Sequence, residues 1–237
     1  MAVFAGKNVL VLGGSRGIGA AIVRRFTADG AKVAFTYLAS QDAALALARE
    51  TGADALKVDS ADRQALTRAV ADRGALDVIV ISAGALAMGD PLTLAPDAVD
   101  HLIDVNVRAP YHAAVEAARR MPEGGRIIVI GSVGGDRVAI AGAAAYALSK
   151  SAMQGMVRGL ARDFGARGIT VNAIQPGPTD TDMNPDGGPV SKIVGPGMAV
   201  GRYGRAEEIA GAVAYLASPD AAFITGAELL ADGGFTA

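Results

Sequence analysis

Residues Asn8-Val-Leu-Val-Leu12 form an apolar run that passes directly into Gly13-Gly-Ser-Arg-Gly17-Ile-Gly19, then into Ala20 to Ala28, closed by Gly30. An unbroken Val/Leu run is the pattern of a strand buried on both faces. The segment from Ala20 to Ala28 reads as a helix, with Gly30 as its stop. Strand, glycine turn and helix in that order are the setting in which a glycine loop holds a dinucleotide. The glycines let the backbone approach a pyrophosphate, and the helix start offers free N–H groups and the positive end of its dipole. A tight turn with no ligand is the alternative reading. Candidate contacts are Gly13, Ser15, Arg16, Gly17, Ile18 and Gly19, with one more residue after the first glycine than in the commoner fingerprint.

The second strand, Lys32 to Tyr37, should end beside the adenosine ribose. An acidic residue there would accept from both ribose hydroxyls and select NAD(H). The residues present are Thr36, Tyr37, Leu38, Ala39 and Ser40. Arg16 can instead pair with a 2′-phosphate, with Ser15, Tyr37 and Ser40 as hydroxyl donors, so NADP(H) is expected over NAD(H). Arg16 as a plain solvated charge is the alternative.

Helix and strand then alternate regularly. Helices are expected over Gln41–Glu50, Asp62–Arg73, Pro96 to about Met121, Ala145 to about Ala166 and Ala206–Ala217. Strands are expected over Ala53–Val58, Leu76–Ile81, Gly125–Gly131, Ile169–Gln175 and Ala227–Leu230. The reading is α/β, a doubly wound parallel sheet with helices on both faces. No linker or repeat divides it, so residues 1–237 form one domain. Asp59 and Ser60 close the third strand, where Asp59 can accept from an adenine amino group or act as a solvated or capping residue. Ala83 and Gly84 close the fourth strand facing the cofactor. Asn106 falls in the middle of a long helix, where its amide competes for backbone groups, and implies a kink or a bound water.

Tyr146-Ala-Leu-Ser-Lys150 lies at a helix start, so Tyr146 and Lys150 share one face. A free phenol titrates near ~10, and bringing it to about 7 takes ~4 kcal/mol. A neighbouring ammonium is expected to supply part of that, as a proton relay needs. Ser132, at the carboxyl end of the fifth strand, is placed where ligands sit in open α/β sheets. His101 and His112 are eleven apart, no metal-ligand spacing, and no metal site is expected. From Asp182 to Gly201 the chain holds five glycines and three prolines, a composition suited to a flap over a substrate cleft.

Composition narrows the class. Hydrophobic residues make up 51% and charged residues 19% of 237, which argues for one large core rather than disorder. A net charge of −2 argues against nucleic acid as a principal partner. With no cysteine there is no disulfide or thiolate chemistry. No run is long enough to span a bilayer, and the chain reads as cytoplasmic.

Taken together, the chain resembles the short-chain dehydrogenase/reductase family over nearly its full length. The resemblance rests on Gly13-x3-Gly17-x-Gly19, Asp59, Ala83-Gly84, Asn106, Ser132, Tyr146-x3-Lys150, Pro176-Gly177, Thr181 and Asp232-Gly-Gly. It implies a Rossmann sheet of seven strands, a homotetramer or homodimer, and hydride transfer between NADP(H) and a small carbonyl or alcohol substrate. In that scheme Tyr146 is the acid/base, Lys150 lowers its pKa and holds the ribose, Ser132 orients the carbonyl and Asn106 anchors a water leading to Lys150. Pro176, Gly177, Thr179 and Thr181 join the cofactor contacts, with Thr181 at the nicotinamide amide or the phosphates. The departures are Leu12 for a threonine, Ile81-Ser82 for an Asn pair, Thr179 for an aliphatic residue, and a Ser132–Tyr146 spacing longer by one. Within the family, the stretches Leu12–Phe26, Ala109–His112, Met121–Arg126 and Gln175–Pro178 are similar to those of a member that binds cyclic di-GMP and promotes biofilm dispersal. That implies a second reading, in which the fold sequesters cyclic di-GMP.

Overall fold

The computed structural model describes residues 2–237. In chain order the elements are β1 (Asn8–Leu12), α1 (Gly17–Ala28), β2 (Lys32–Tyr37), α2 (Gln41–Thr51), β3 (Asp54–Lys57), α3 (Arg63–Ala71) and β4 (Val78–Ile81). Then come α4 (Pro96–Ile103), α5 (Ala109–Arg120), β5 (Arg126–Ile130), α6 (Ala144–Phe164), β6 (Thr170–Pro176) and β7 (Thr179–Asp180). The chain ends with α7 (Ser191–Val194), β8 (Gly204–Arg205), α8 (Ala206–Ala217) and β9 (Glu228–Ala231). Seven strands form one parallel sheet in the order β3-β2-β1-β4-β5-β6-β9. Strand order reverses between β1 and β4, which opens a crevice at the carboxyl edge.

Strand periodicity assigns each side chain to a helix layer. Val9 and Val11 of β1, Val78 and Val80 of β4, and Ile128 and Ile130 of β5 pack with Ile22 and Phe26 of α1 and Val213 of α8. Their neighbours Leu10, Leu12, Ile79, Ile81, Ile127 and Val129 face the other way, onto Leu66 of α3, Ala113 and Ala117 of α5, and Met153 and Val157 of α6. Each such apolar side chain, taken fully out of water, contributes about 1.5–3 kcal/mol. This two-faced burial is why the strands read as unbroken apolar runs.

Two features add to the sequence expectation, which placed a kink or a bound water at Asn106. The helix expected from Pro96 to Met121 is two helices, α4 and α5, joined by a π-helical turn at Asp104–Arg108 around Asn106. The segment 182–201 is bracketed by a short parallel pairing of β7 with β8, Thr179 opposite Gly204 and Asp180 opposite Arg205. Its base is held by Val194 and Met198, which bury with Val133, Tyr203 and Phe235.

Candidate active site

The carboxyl edge of the sheet carries a cavity of about 580 Å³. Ser132, Tyr146, Lys150 and every residue singled out above as a cofactor contact line it, Thr181 among them beside the glycine turn. Asn106 does not, because it is fully buried behind the wall.

The glycine turn is built for a ligand backbone. A Cβ on Gly13 would lie 2.6 Å from the main chain of Ala83, and one on Gly19 would lie 2.0 Å from the Gly13 carbonyl oxygen. Gly17 has φ +52°, and a Cβ there would meet Thr181 at 3.2 Å. The helix α1 starts without a side-chain cap, so its first N–H groups are left for an anion in the cavity. These features fit a dinucleotide pyrophosphate. Thr36 of β2, which sequence reading passed over as a donor, supports the turn: its hydroxyl accepts from the Gly13 N–H at 2.9 Å, and its carbonyl from the Gly14 N–H at 2.9 Å. A polar residue in a buried apolar strand was the available signal.

Around the adenosine end, Asp59 accepts from the Ala61 N–H at 2.8 Å, while Asp62 caps α3. Asp59 is therefore a turn-forming residue with one carboxylate oxygen to spare. Arg16 is paired with Asp182 at 3.3 Å, both side chains more than half exposed. The Thr179 hydroxyl is committed to the Gly177 carbonyl at 2.9 Å.

At the other end, Ser132 leaves β5 in extended backbone, and its hydroxyl accepts from the Gly134 N–H at 3.0 Å. The Ser132 hydroxyl and the Tyr146 ring flank the same glycine, since a Cβ on Gly134 would lie 3.2 Å from each. Lys150 is buried, and its ammonium donates to the Ile130 carbonyl at 3.2 Å and stands 5.8 Å from the Tyr146 ring centre. Burial pushes Lys150 down to about 8. The expectation that Lys150 draws the phenol downward is corrected: burial raises Tyr146 above its ordinary value, and only the Ser132 hydroxyl offsets part of the rise.

Asn106 explains the π-helical turn. Its amide oxygen accepts from the Ala85 N–H at 2.8 Å, and its nitrogen donates to the Ala85 carbonyl at 3.0 Å and the Ser149 hydroxyl at 3.0 Å. The side chain is therefore committed to bracing the loop after β4 against α6. Four residues on, Pro110 has no N–H to close an α-helical bond to the Asn106 carbonyl, which is consistent with the π-helical turn there.

Comparison with known proteins places this geometry. The family model described as enoyl-(acyl carrier protein) reductase matches residues 13–236. The solved short-chain dehydrogenase/reductase of Serratia marcescens BCRC 10948 superposes with a TM-score of 0.95 at 52% identity, covering 99% of this chain and 100% of that one. The chain belongs to the short-chain dehydrogenase/reductase family. It is thus one of the NAD(P)-dependent oxidoreductases. It is also 60% identical over 237 residues, all of both chains, to the cyclic-di-GMP-binding biofilm dispersal mediator protein of Escherichia coli K12. A crystal structure of BdcA in complex with NADPH superposes with a TM-score of 0.97 at 60% identity, covering 98% of this chain and 96% of that one.

As a short-chain dehydrogenase/reductase, the chain shows how its departures are absorbed. Leu12 is core, and the Thr36 hydroxyl on the adjacent strand binds the first N–H of the glycine turn. The Pro176-Gly177 turn packs on the carboxyl-terminal Asp-Gly-Gly, since a Cβ on Gly177 would lie 2.6 Å from Asp232 Cα. His101 lines the cavity, which its sequence position did not reveal. Among the described residues there is no cluster of metal-ligating side chains and no helix long and apolar enough to cross a membrane.

Proposed function

We propose that this protein is an NADP(H)-dependent carbonyl reductase working through Ser132, Tyr146 and Lys150. The observation that carries the reading is that Ser132 and Tyr146, flanking Gly134, share one cavity with a buried Lys150 and a glycine turn with no room for a Cβ at Gly13 or Gly19. Bound with its pyrophosphate on Gly13–Gly19 and its 2′-phosphate near Arg16, Ser15, Tyr37 and Ser40, NADPH would supply a hydride. The Tyr146 phenol gives its proton to the carbonyl oxygen as the carbon–oxygen π bond breaks and a carbon–hydrogen bond forms. Ser132 holds that oxygen against the phenol, and Lys150 holds the ribose. Asn106, through its main-chain oxygen, anchors a water that returns a proton toward Lys150. Segment 182–201 acts as the substrate flap. The relative crystallised with NADPH supports the choice of cofactor. We place the enzyme in the cytoplasm as a homotetramer or homodimer, with neither nucleic acid nor membrane as partner.

Tyr146→Phe tests the reading. It should abolish NADPH-dependent carbonyl reduction while leaving NADPH affinity within about twofold. Retained turnover would refute it.

A second reading follows from the 60% identity to a protein named for cyclic-di-GMP binding. Here the same cleft takes a cyclic dinucleotide, with Arg16 at one of its phosphates. Calorimetry with cyclic di-GMP, repeated with NADPH present, decides it: competition supports a shared cleft, and a flat titration disposes of the reading.

A further inference from the structure

The two ends of the cavity differ in charge. Among the described residues, its carboxylates are Asp59 and Asp182, and both lie toward the adenosine end: Asp59 follows β3, and Asp182 faces Arg16. The rest of the lining carries no carboxylate: it includes the apolar Val138, Ile140, Val190 and Val194, with His101 and Asn184. In that wall stands Arg137. Its guanidinium lies 4.9 Å over the Phe235 ring and donates to the Phe235 carbonyl. Phe235 is itself buried with Val133, Val194, Met198 and Tyr203, so the guanidinium rests on a fixed platform. Arg137 takes part in no ion pair among the described residues.

A guanidinium carries five N–H donors in a planar fork. One nitrogen is spent on the Phe235 carbonyl, and stacking on the ring leaves the remaining edge of the fork in plane for a ligand. With the Lys150 ammonium under Tyr146, the reacting end of the cleft holds two cationic groups and no counter-charge, a field that draws in an anion.

We infer that Arg137 binds an acid group on the substrate, so that the carbonyl compound reduced here is a keto acid whose short apolar chain lies along Val138, Ile140 and Val190. The inference rests on the reductase reading above. One guanidinium edge offers two parallel donors, which match the two oxygens of a carboxylate monoanion. A phosphate has a third oxygen and a second charge, which one guanidinium edge leaves unmatched. Because Arg137 is solvent-exposed, the acid group stays partly hydrated and the selectivity weakens with added salt.

The test compares a keto acid with its methyl ester and with a ketone phosphate of the same length. NADPH oxidation is followed for the wild type, Arg137→Met and Arg137→Lys, and Tm and NADPH affinity report on folding. Wild type should prefer the acid, and Arg137→Met should reduce the acid-over-ester ratio of kcat/KM at least tenfold, chiefly through KM. Arg137→Lys, with the charge but not the fork, should fall between them. An unchanged ratio would overturn the assignment, and so would a preference for the phosphate. Calorimetry with the saturated carboxylic acid of the same chain length, on the NADPH-loaded protein, reads the site without turnover. If no carbonyl is reduced, the reductase reading fails by itself. Acid binding at least tenfold weaker in Arg137→Met would then still uphold the acid site, and absence of binding would end it.

Discussion

The main-chain N–H of Ser132 donates to Gln175 Oε1 at 2.6 Å, and Gln175 Nε2 donates to Glu228 at 3.2 Å, a residue held in turn by Arg158 at 2.8 Å. Gln175 is fully buried, and a Cβ on Gly131 would fall 2.1 Å from its Oε1. The side chain thus continues the β5–β6 ladder one residue past the last strand pair and sets where Ser132 leaves the sheet. Gln175→Leu should lower kcat more than tenfold with NADPH affinity within twofold. It leaves a buried N–H unpaired, at about 1–3 kcal/mol, and frees Ser132 to drift from the phenol. Equal losses in kcat and in cofactor affinity would show general damage instead.

The rate of carbonyl reduction should fall as pH rises through about 8, the value to which burial depresses Lys150. Tyr146 is raised, so its proton is still in place there and the lost charge is that of Lys150. Stability moves the other way. Between about 8 and the ordinary lysine value near ~10.4 the unfolded chain binds the extra proton, so folding becomes more favourable with rising pH. A pH–kcat/KM profile beside a pH–Tm series checks both limbs, and a flat profile through pH 8 would remove Lys150 from the mechanism.

Gly19→Ala should destabilise the fold by about 1–3 kcal/mol, since the new methyl meets a main-chain carbonyl that cannot rotate away. For a chain of this size each kcal/mol moves Tm by roughly 2–4 °C. NADPH affinity should fall at least tenfold, measured by fluorescence titration.

Arg16 is paired with Asp182, and in the proposed reading a 2′-phosphate competes for it. Arg16→Ala should raise KM for NADPH about tenfold and leave that for NADH within twofold. Asp182→Ala frees Arg16 from an exposed pair worth about 0–1 kcal/mol, so NADPH affinity should improve at most a few-fold. An unchanged preference for NADPH in Arg16→Ala would assign the 2′-phosphate elsewhere.

Local chemistry was legible in the chain itself. The run Asn8–Leu12 into Gly13–Gly19 announced strand, turn and helix, because two-sided burial demands unbroken apolar residues and close backbone approach demands glycine. The 3.6-residue period put Tyr146 and Lys150 on one face, and Asn106 marked a break in its helix. What no local rule contained was which distant groups share a wall. Gln175 reaches Ser132 only because β5 and β6 are neighbours, Thr36 reaches Gly13 only because β2 lies beside β1, and Arg137 meets Phe235 only where the last residues fold back over the cleft. The direction of the Tyr146 shift was decided the same way. Spacing brought the ammonium near, but the burial that outweighs it belongs to the packed molecule, since desolvation depends on everything that surrounds a group and not on its neighbours in sequence.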